Sequence, residues 1–183
     1  AQAAAMAMGR AMDDVIITAA SATAFTGETG ATSTAAQTAI AAGGAGLTIA
    51  KLRTAKQTFD LASVDPSIPR HIVVGPEQIT NLLSTTEVTS SDFNTVKALV
   101  QGEIDSFLGF KFTVSNRLAK SGNDRTCLAF AQDGITLAIG KDVSARIDER
   151  ADKSYATQVY YCQSIGATRM EEAKVLGIVC QEA

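Results

Sequence analysis

The chain has 183 residues, of which 46% are hydrophobic, 19% charged and 5% aromatic, with no Trp. Its 16 basic residues stand against 19 acidic ones, a formal net charge of −3, which argues against a nucleic-acid-binding module with its usual basic excess. Apolar runs of only a few residues are too short for a membrane-spanning helix, and the Ala-rich start lacks the bulky apolar stretch of a secretory signal.

Small residues inflate the hydrophobic fraction: 18 of the 31 Ala fall in the first 50 positions. Those positions carry only four charges, Arg10, Asp13, Asp14 and Glu28, while the remaining 133 carry 31. The length permits one domain, or two small interleaved ones, with a real core. No Met stands at position 1, so the chain reads as a processed product or the visible part of a longer one.

Residues 1–20 read as a helix, because Ala, Met and Gln are strong helix formers. Met8, Met12, Val15 and Ile16 form a helical stripe on it. A helix so poor in charge is expected to pack against a partner. Residues 26–46, rich in Gly, Thr and Ala, read as a long loop or loose hairpin that cannot form a core of its own. Thr48 is the expected N-cap of a second helix over 48–62, with Leu52, Ala55, Phe59 and Ala62 on its apolar face. Asp65-Pro66 and Ile68-Pro69 stop it. A short buried strand follows at 71–74, then a short helix with Pro76 at its first position and Ile79, Leu82 and Leu83 inward. Ser90 and Ser91 cap a further helix with Phe93, Val96, Val100 and Ile104 on one face.

From residue 107 the period changes from helical to alternating. Phe110, Phe112 and Val114 alternate with polar residues, and Ser121–Asp124 turns into the apolar run 127–130. Asp133-Gly134 is a two-residue hairpin signal. Residues 143–150 and 154–165 alternate again, and 175–180 form a last strand. Helices first and strands later indicate an α+β fold.

No catalytic constellation is visible. The lone His71 has no G-x-S-x-G partner motif and reads as a strand-edge residue. The string from Gly134 to Lys141 has the wrong spacing for a phosphate loop and Asp142 where the hydroxyl belongs. Cys127, Cys162 and Cys180 lack any C-x-x-C spacing and read as reduced, mostly buried thiols from a cytosolic assembly environment. One His and scattered thiols build no zinc site, and Asp13-Asp14 and Glu171-Glu172 form no calcium loop. Neither a cofactor nor a metal is expected. The group Arg146, Asp148, Glu149, Arg150, Asp152 and Lys153 mixes both signs at the joint between two strands. It is either a solvated turn or an ion-pair network between subunits, where complementary charge sets register.

Three stretches carry a family resemblance: AMDDVIITAASATAFTGETG near the start, RHIVVGPEQITNLLSTTEVTSSDFNTVKALVQGEIDSFLGFKFTVSNRL over 70–118, and KDVSARIDERADKSYATQVYYCQSIGATRMEEAKVLGIVC over 141–180. In order and over nearly the whole chain, they resemble the major capsid proteins of tailed bacteriophages. The resemblance implies the Hong Kong 97-type capsid fold, with an axial domain and a peripheral domain carrying a long spine helix. It places the spine helix and a polar hairpin at 1–47, the axial domain at 48–142, peripheral return strands at 143–170 and a final axial strand at 171–183. The resemblance matches neither the N-terminal arm nor the extended loop of the family, so the chain is expected to be the C-terminal portion of a longer subunit, and no crosslinking residue is matched.

The implied function is a non-enzymatic shell subunit, forming pentamers and hexamers of an icosahedral shell around double-stranded DNA held without sequence specificity. Scaffold, portal or decoration proteins are the further partners it implies. The implied location is the virion, assembled in the host cytoplasm, with no membrane. A cellular nanocompartment shell of the same fold, or an enzyme with an intersubunit site around His71 and the 146–153 cluster, are the alternatives.

Overall fold

The computed structural model describes residues 2–30, 32–34, 39–84 and 106–182, and the statements below concern these. The chain opens with helix α1 (Gln2–Ser21), whose Met8, Met12, Val15 and Ile16 are half-buried while only Ala20 is fully buried. The Gly/Thr-rich segment after it is partly ordered into strands. β1 (Ala24–Thr26) and β2 (Thr32–Thr34) pair as an antiparallel hairpin, and β3 (Ala39–Ile40) joins the main sheet.

Helix α2 (Ile49–Leu61) begins where the Thr48 side chain accepts a hydrogen bond from the Lys51 backbone N–H, satisfying one of the free donors of a first turn. Leu52, Ala55 and Phe59 are buried as their spacing requires, whereas Ala62 lies exposed beyond the helix end. Strand β4 (Arg70–Val74) and helix α3 (Pro76–Leu83) follow, with Leu82 buried and Ile79 and Leu83 half-buried. The helix expected after Ser90 lies outside the described residues. Short β5 (Ser106–Phe107) leads to β6 (Phe110–Val114), β7 (Lys120–Ser121) and β8 (Asp124–Ala131). The β7–β8 turn needs Gly122 at φ 61°, a conformation that costs a residue with Cβ more than it costs glycine. Two long strands, β9 (Ile135–Arg150) and β10 (Ala156–Arg169), precede the last, β11 (Val175–Gln181).

The main sheet runs β3-β11-β8-β4-β6-β5, with β7 attached to β8. Strand β4 lies parallel to β6, and β3 parallel to β11. The register puts Ile72 beside Phe112 and Ala129, and Leu176 beside Ala129. This face is closed by α2 and α3, and Phe59 meets Phe110 with ring centroids 6.0 Å apart. The opposite face carries His71, Val73, Leu128 and Phe130, and helix α1 lies over it. His71 is therefore not at an edge, as its sequence setting suggested: β4 is flanked by β8 and β6, and the imidazole stacks on Phe130 at 5.7 Å.

Polar side chains lock these elements together. The nearly buried Lys51 ammonium donates to the carbonyls of Ala45, Gly46 and Val179 at 2.7, 2.9 and 2.9 Å. It thereby ties the start of α2 to β11. Lys51→Met is expected to lower stability by about 3 kcal/mol, because charged hydrogen bonds vanish and buried carbonyls lose their donor. Urea unfolding measures this, and a loss below about 1 kcal/mol would show the anchor to be dispensable. Cys127 and Cys180 are free, buried thiols on adjacent strands. Contact with Cys180 together with burial pushes the Cys127 thiol well above its ordinary pKa, so it behaves as an inert core residue. Cys162, by contrast, is only half-buried.

Candidate assembly surface

The Asp133-Gly134 turn forms, with the Gly134 N–H donating to the Ala131 carbonyl at 2.8 Å. A Cβ at Gly134 would stand 2.9 Å from the Lys174 carbonyl oxygen, too close for any other residue without movement. Yet this turn does not make the hairpin its sequence suggests. β8 pairs with β11, β4 and β7, while β9 leaves the sheet and pairs only with β10. Turn chemistry is local, but strand pairing follows the partner that buries more apolar surface, and the apolar β11 takes the place beside β8.

The two strands thus form a separate antiparallel ribbon. It is continuous from the Ile135–Arg169 pair to the Arg150–Ala156 pair. Two register shifts, between Cys162 and Ser164 and between Ser164 and Ile165, bend it near its middle, as extra residues in one strand do. At the bend the Cys162 thiol lies 2.9 Å from the Ser144 hydroxyl. That hydrogen bond and the Lys141 ammonium hold the thiol below its ordinary pKa.

Beyond the bend the ribbon is exposed on both faces. Directly opposed pairs share a face, so Ile147 with Val159 and Ala145 with Tyr161 make one face apolar. Arg146 with Tyr160 and Asp148 with Gln158 occupy the other. Ile147 is 71% exposed and Val159 50%. An isolated two-stranded ribbon is marginal in water, and an apolar face of this kind marks an interaction surface.

The six charged residues singled out from the sequence all lie at the distal end of this ribbon, and all are exposed. Arg146, Asp148 and Arg150 share one face, Glu149 the other, and Asp152 and Lys153 sit in the tight turn Ala151–Lys153. One pair closes within the chain. Arg150 donates from Nε to Asp152 Oδ1 at 2.9 Å and from Nη2 to Oδ2 at 2.5 Å, holding the Asp152 carboxyl below its usual range. Arg146, Asp148, Glu149 and Lys153 have no ion pair among the described residues. Ser154 and Tyr155 follow with φ of 52° and 58°. Two successive left-handed residues without Gly give the tip a fixed shape.

At its other end the ribbon is anchored by a residue that sequence reasoning missed. Arg169, with its side chain 1% exposed, donates from Nη1 to the Ala20 carbonyl at 3.3 Å and pairs with Glu172 at 3.6 Å. It thus places a positive charge at the C-terminal end of α1, where the helix dipole favours one. Arg117 makes a bidentate pair with Asp14 and ties α1 to the sheet domain; the contact lowers the Asp14 carboxyl pKa. Lys174 bridges Asp133 at 2.6 Å and Glu171 at 2.8 Å, closing the ribbon's base. Among the described residues no group of His, Cys, Asp and Glu is placed to hold a metal, and no helix is long and apolar enough to cross a membrane.

The sequence matches the family described as "Phage capsid protein" over residues 1–182, and the chain belongs to that family. Among solved structures, it is similar to a chain of Mycobacterium phage Che8, with 20% identity, TM-score 0.66, and 97% of this chain and 61% of that chain covered. It is also similar to a capsid chain of an empty GTA particle, with 14% identity, TM-score 0.68, and 98% and 64% covered. A third similar chain comes from the head of Helicobacter pylori bacteriophage KHP40, with 12% identity, TM-score 0.66, and 96% and 66% covered. At such identities the likeness establishes the fold, which is the Hong Kong 97-type α+β capsid fold. The chain spans 61 to 66% of the length of these three solved chains. No curated protein matches it.

Proposed function

We propose that this chain is a structural subunit of a phage head, which self-assembles by contacts between copies into an icosahedral shell around double-stranded DNA. The observation that carries this reading is the β9–β10 ribbon, whose distal half exposes an apolar and a charged face among the described residues. Contacts between different surfaces of identical subunits close into rings, and pentamers and hexamers are the rings an icosahedral shell needs. In this reading α1 and the segment to residue 47 form the peripheral spine and hairpin, 48–142 the axial domain, 143–170 the peripheral return strands and 171–183 the final axial strand. The role is scaffolding rather than catalysis. The net charge of −3 suits containment of DNA rather than tight or sequence-specific binding. The subunit belongs in the virion and is assembled in the host cytoplasm, where scaffold, portal or decoration proteins complete the head.

The cluster Arg146, Asp148, Glu149, Arg150, Asp152 and Lys153 sets register between neighbours in this proposal, since rim charges of both signs govern partner choice more than raw affinity. Arg150→Glu is expected to lower the yield of assembled particles several-fold, about 1 kcal/mol or more per contact, while the subunit's melting temperature stays within a few degrees of wild type. Sedimentation and thermal melting of the same preparation give both readings. Unchanged particle yield would remove the cluster from the assembly surface.

A further inference from the structure

Helix α1 covers the second face of the main sheet only with its C-terminal half. Between helix and sheet lies a trough of about 240 Å³. Its walls are apolar: Ile16 and Ile17 from α1 stand against Leu128 and Phe130 from β8, with Val73 from β4 between. Four polar residues break this lining: the neutral hydroxyls of Thr113 and Ser115, and two titratable groups. Asp13 projects from α1 at one wall, and His71 lies across from it, stacked on Phe130. No Lys or Arg is among the residues lining the trough. Arg117, close enough to feel the charge of Asp13, is held in its bidentate pair by Asp14. An apolar slot with a single carboxylate at its wall is charge-complementary to one kind of occupant.

We infer that this trough is a binding site for a small organic cation: an apolar body the size of one aromatic ring, carrying a single amine or amidine head. The body lies between Ile16 and Ile17 on one side and Leu128 and Phe130 on the other, releasing water from apolar surface. The head meets the Asp13 carboxylate. An aromatic body adds stacking against Phe130, and a cationic head near that ring gains from its negative face. An occupant touching both walls ties α1 to the sheet, and it stabilises the folded subunit by mass action. The inference does not depend on the shell reading, because it uses only contacts within one subunit.

The chain contains a single histidine, so its imidazole resonances report on this trough without overlap. Benzamidine, its neutral analogue benzamide and the anion benzoate, titrated separately into the full chain, separate shape from charge. Benzamidine is expected to move the His71 ring signals saturably, benzamide to do so more weakly and benzoate not at all. Asp13→Asn removes the charge at an exposed position. It is expected to weaken benzamidine roughly fivefold, the scale of a partly exposed ion pair, and to leave benzamide unchanged. Val73→Phe fills the slot and is expected to abolish the response to benzamidine and benzamide alike. The absence of a saturable shift with benzamidine, equal binding of the three probes, or unchanged benzamidine affinity in Asp13→Asn would each overturn the inference.

Discussion

Glu182→Gln is expected to cost the protein about 3 kcal/mol of stability at neutral pH. Glu182 is only 3% exposed, although it stands at the end of the last strand. Its carboxylate is held from three elements. Arg125 of β8 donates to Oε1, Lys120 of β7 to Oε2, and Gln78 of α3 to Oε1 at 3.2 Å. Its backbone N–H donates to the Asn123 carbonyl at 2.7 Å, so the group is fixed rather than merely near. Removing its charge leaves Arg125, 12% exposed, without a counterion, and an uncompensated buried charge is what makes half a buried pair costly.

The same contacts give the pH dependence. Hydrogen bonds from Arg125 and then Lys120 bring the Glu182 carboxyl down to about 2 from an ordinary 4.5. A depressed carboxyl contributes stability that is fully present above its unfolded pKa and lost as pH falls through the folded one. The Glu182 contribution is therefore complete above about pH 4.5 and fades between there and about pH 2. Urea unfolding of wild type and Glu182→Gln at a series of pH values should show two curves that converge through this window. Parallel curves, or a difference below about 1 kcal/mol at pH 7, would show that the clamp is not a stabilising contact.

Phe59→Ala is expected to cost still more, about 4 kcal/mol. The ring is fully buried, meets Phe110 at 6.0 Å and lies beneath the Arg70 guanidinium at 5.5 Å. Truncation opens a cavity between α2 and the sheet. It also withdraws the ring that shields Arg70, whose Nη2 donates to Asp60 Oδ1 at 2.8 Å and to the Val64 carbonyl at 3.1 Å. Phe59→Leu keeps most of the volume and should cost about 1.5 kcal/mol. Equal losses for the two variants in chemical denaturation would mean that volume is not what the site supplies.

Local signals are legible in the chain where local physics decides. Thr48 caps α2, Pro76 opens α3, and Phe110 and Phe112 alternate inward on β6, because capping, a fixed φ and pleating depend on neighbours in sequence. What was not legible depends on distant partners. Lys51, Gln78, Arg169 and Glu182 are buried polar residues, each held by at least one partner far off in sequence, so their neighbours in the chain do not announce their burial. The Asp133-Gly134 turn was legible, but the pairing of the strands it joins was not, since β11, more than forty residues on, competes for the same edge of β8. The charged cluster could be placed at a joint between strands from its spacing alone. That this joint is the exposed end of a free ribbon required the register of β9 and β10.

The most direct measurement is electron microscopy of particles formed by the protein, at a resolution that traces strands. Closed shells with fivefold and sixfold capsomers are expected, with the distal half of the β9–β10 ribbon, from Val143 to Tyr161, buried against neighbouring subunits. Shells in which that ribbon stands free in solvent, or a protein that remains monomeric with the ribbon uncovered, would contradict its role as the assembly surface.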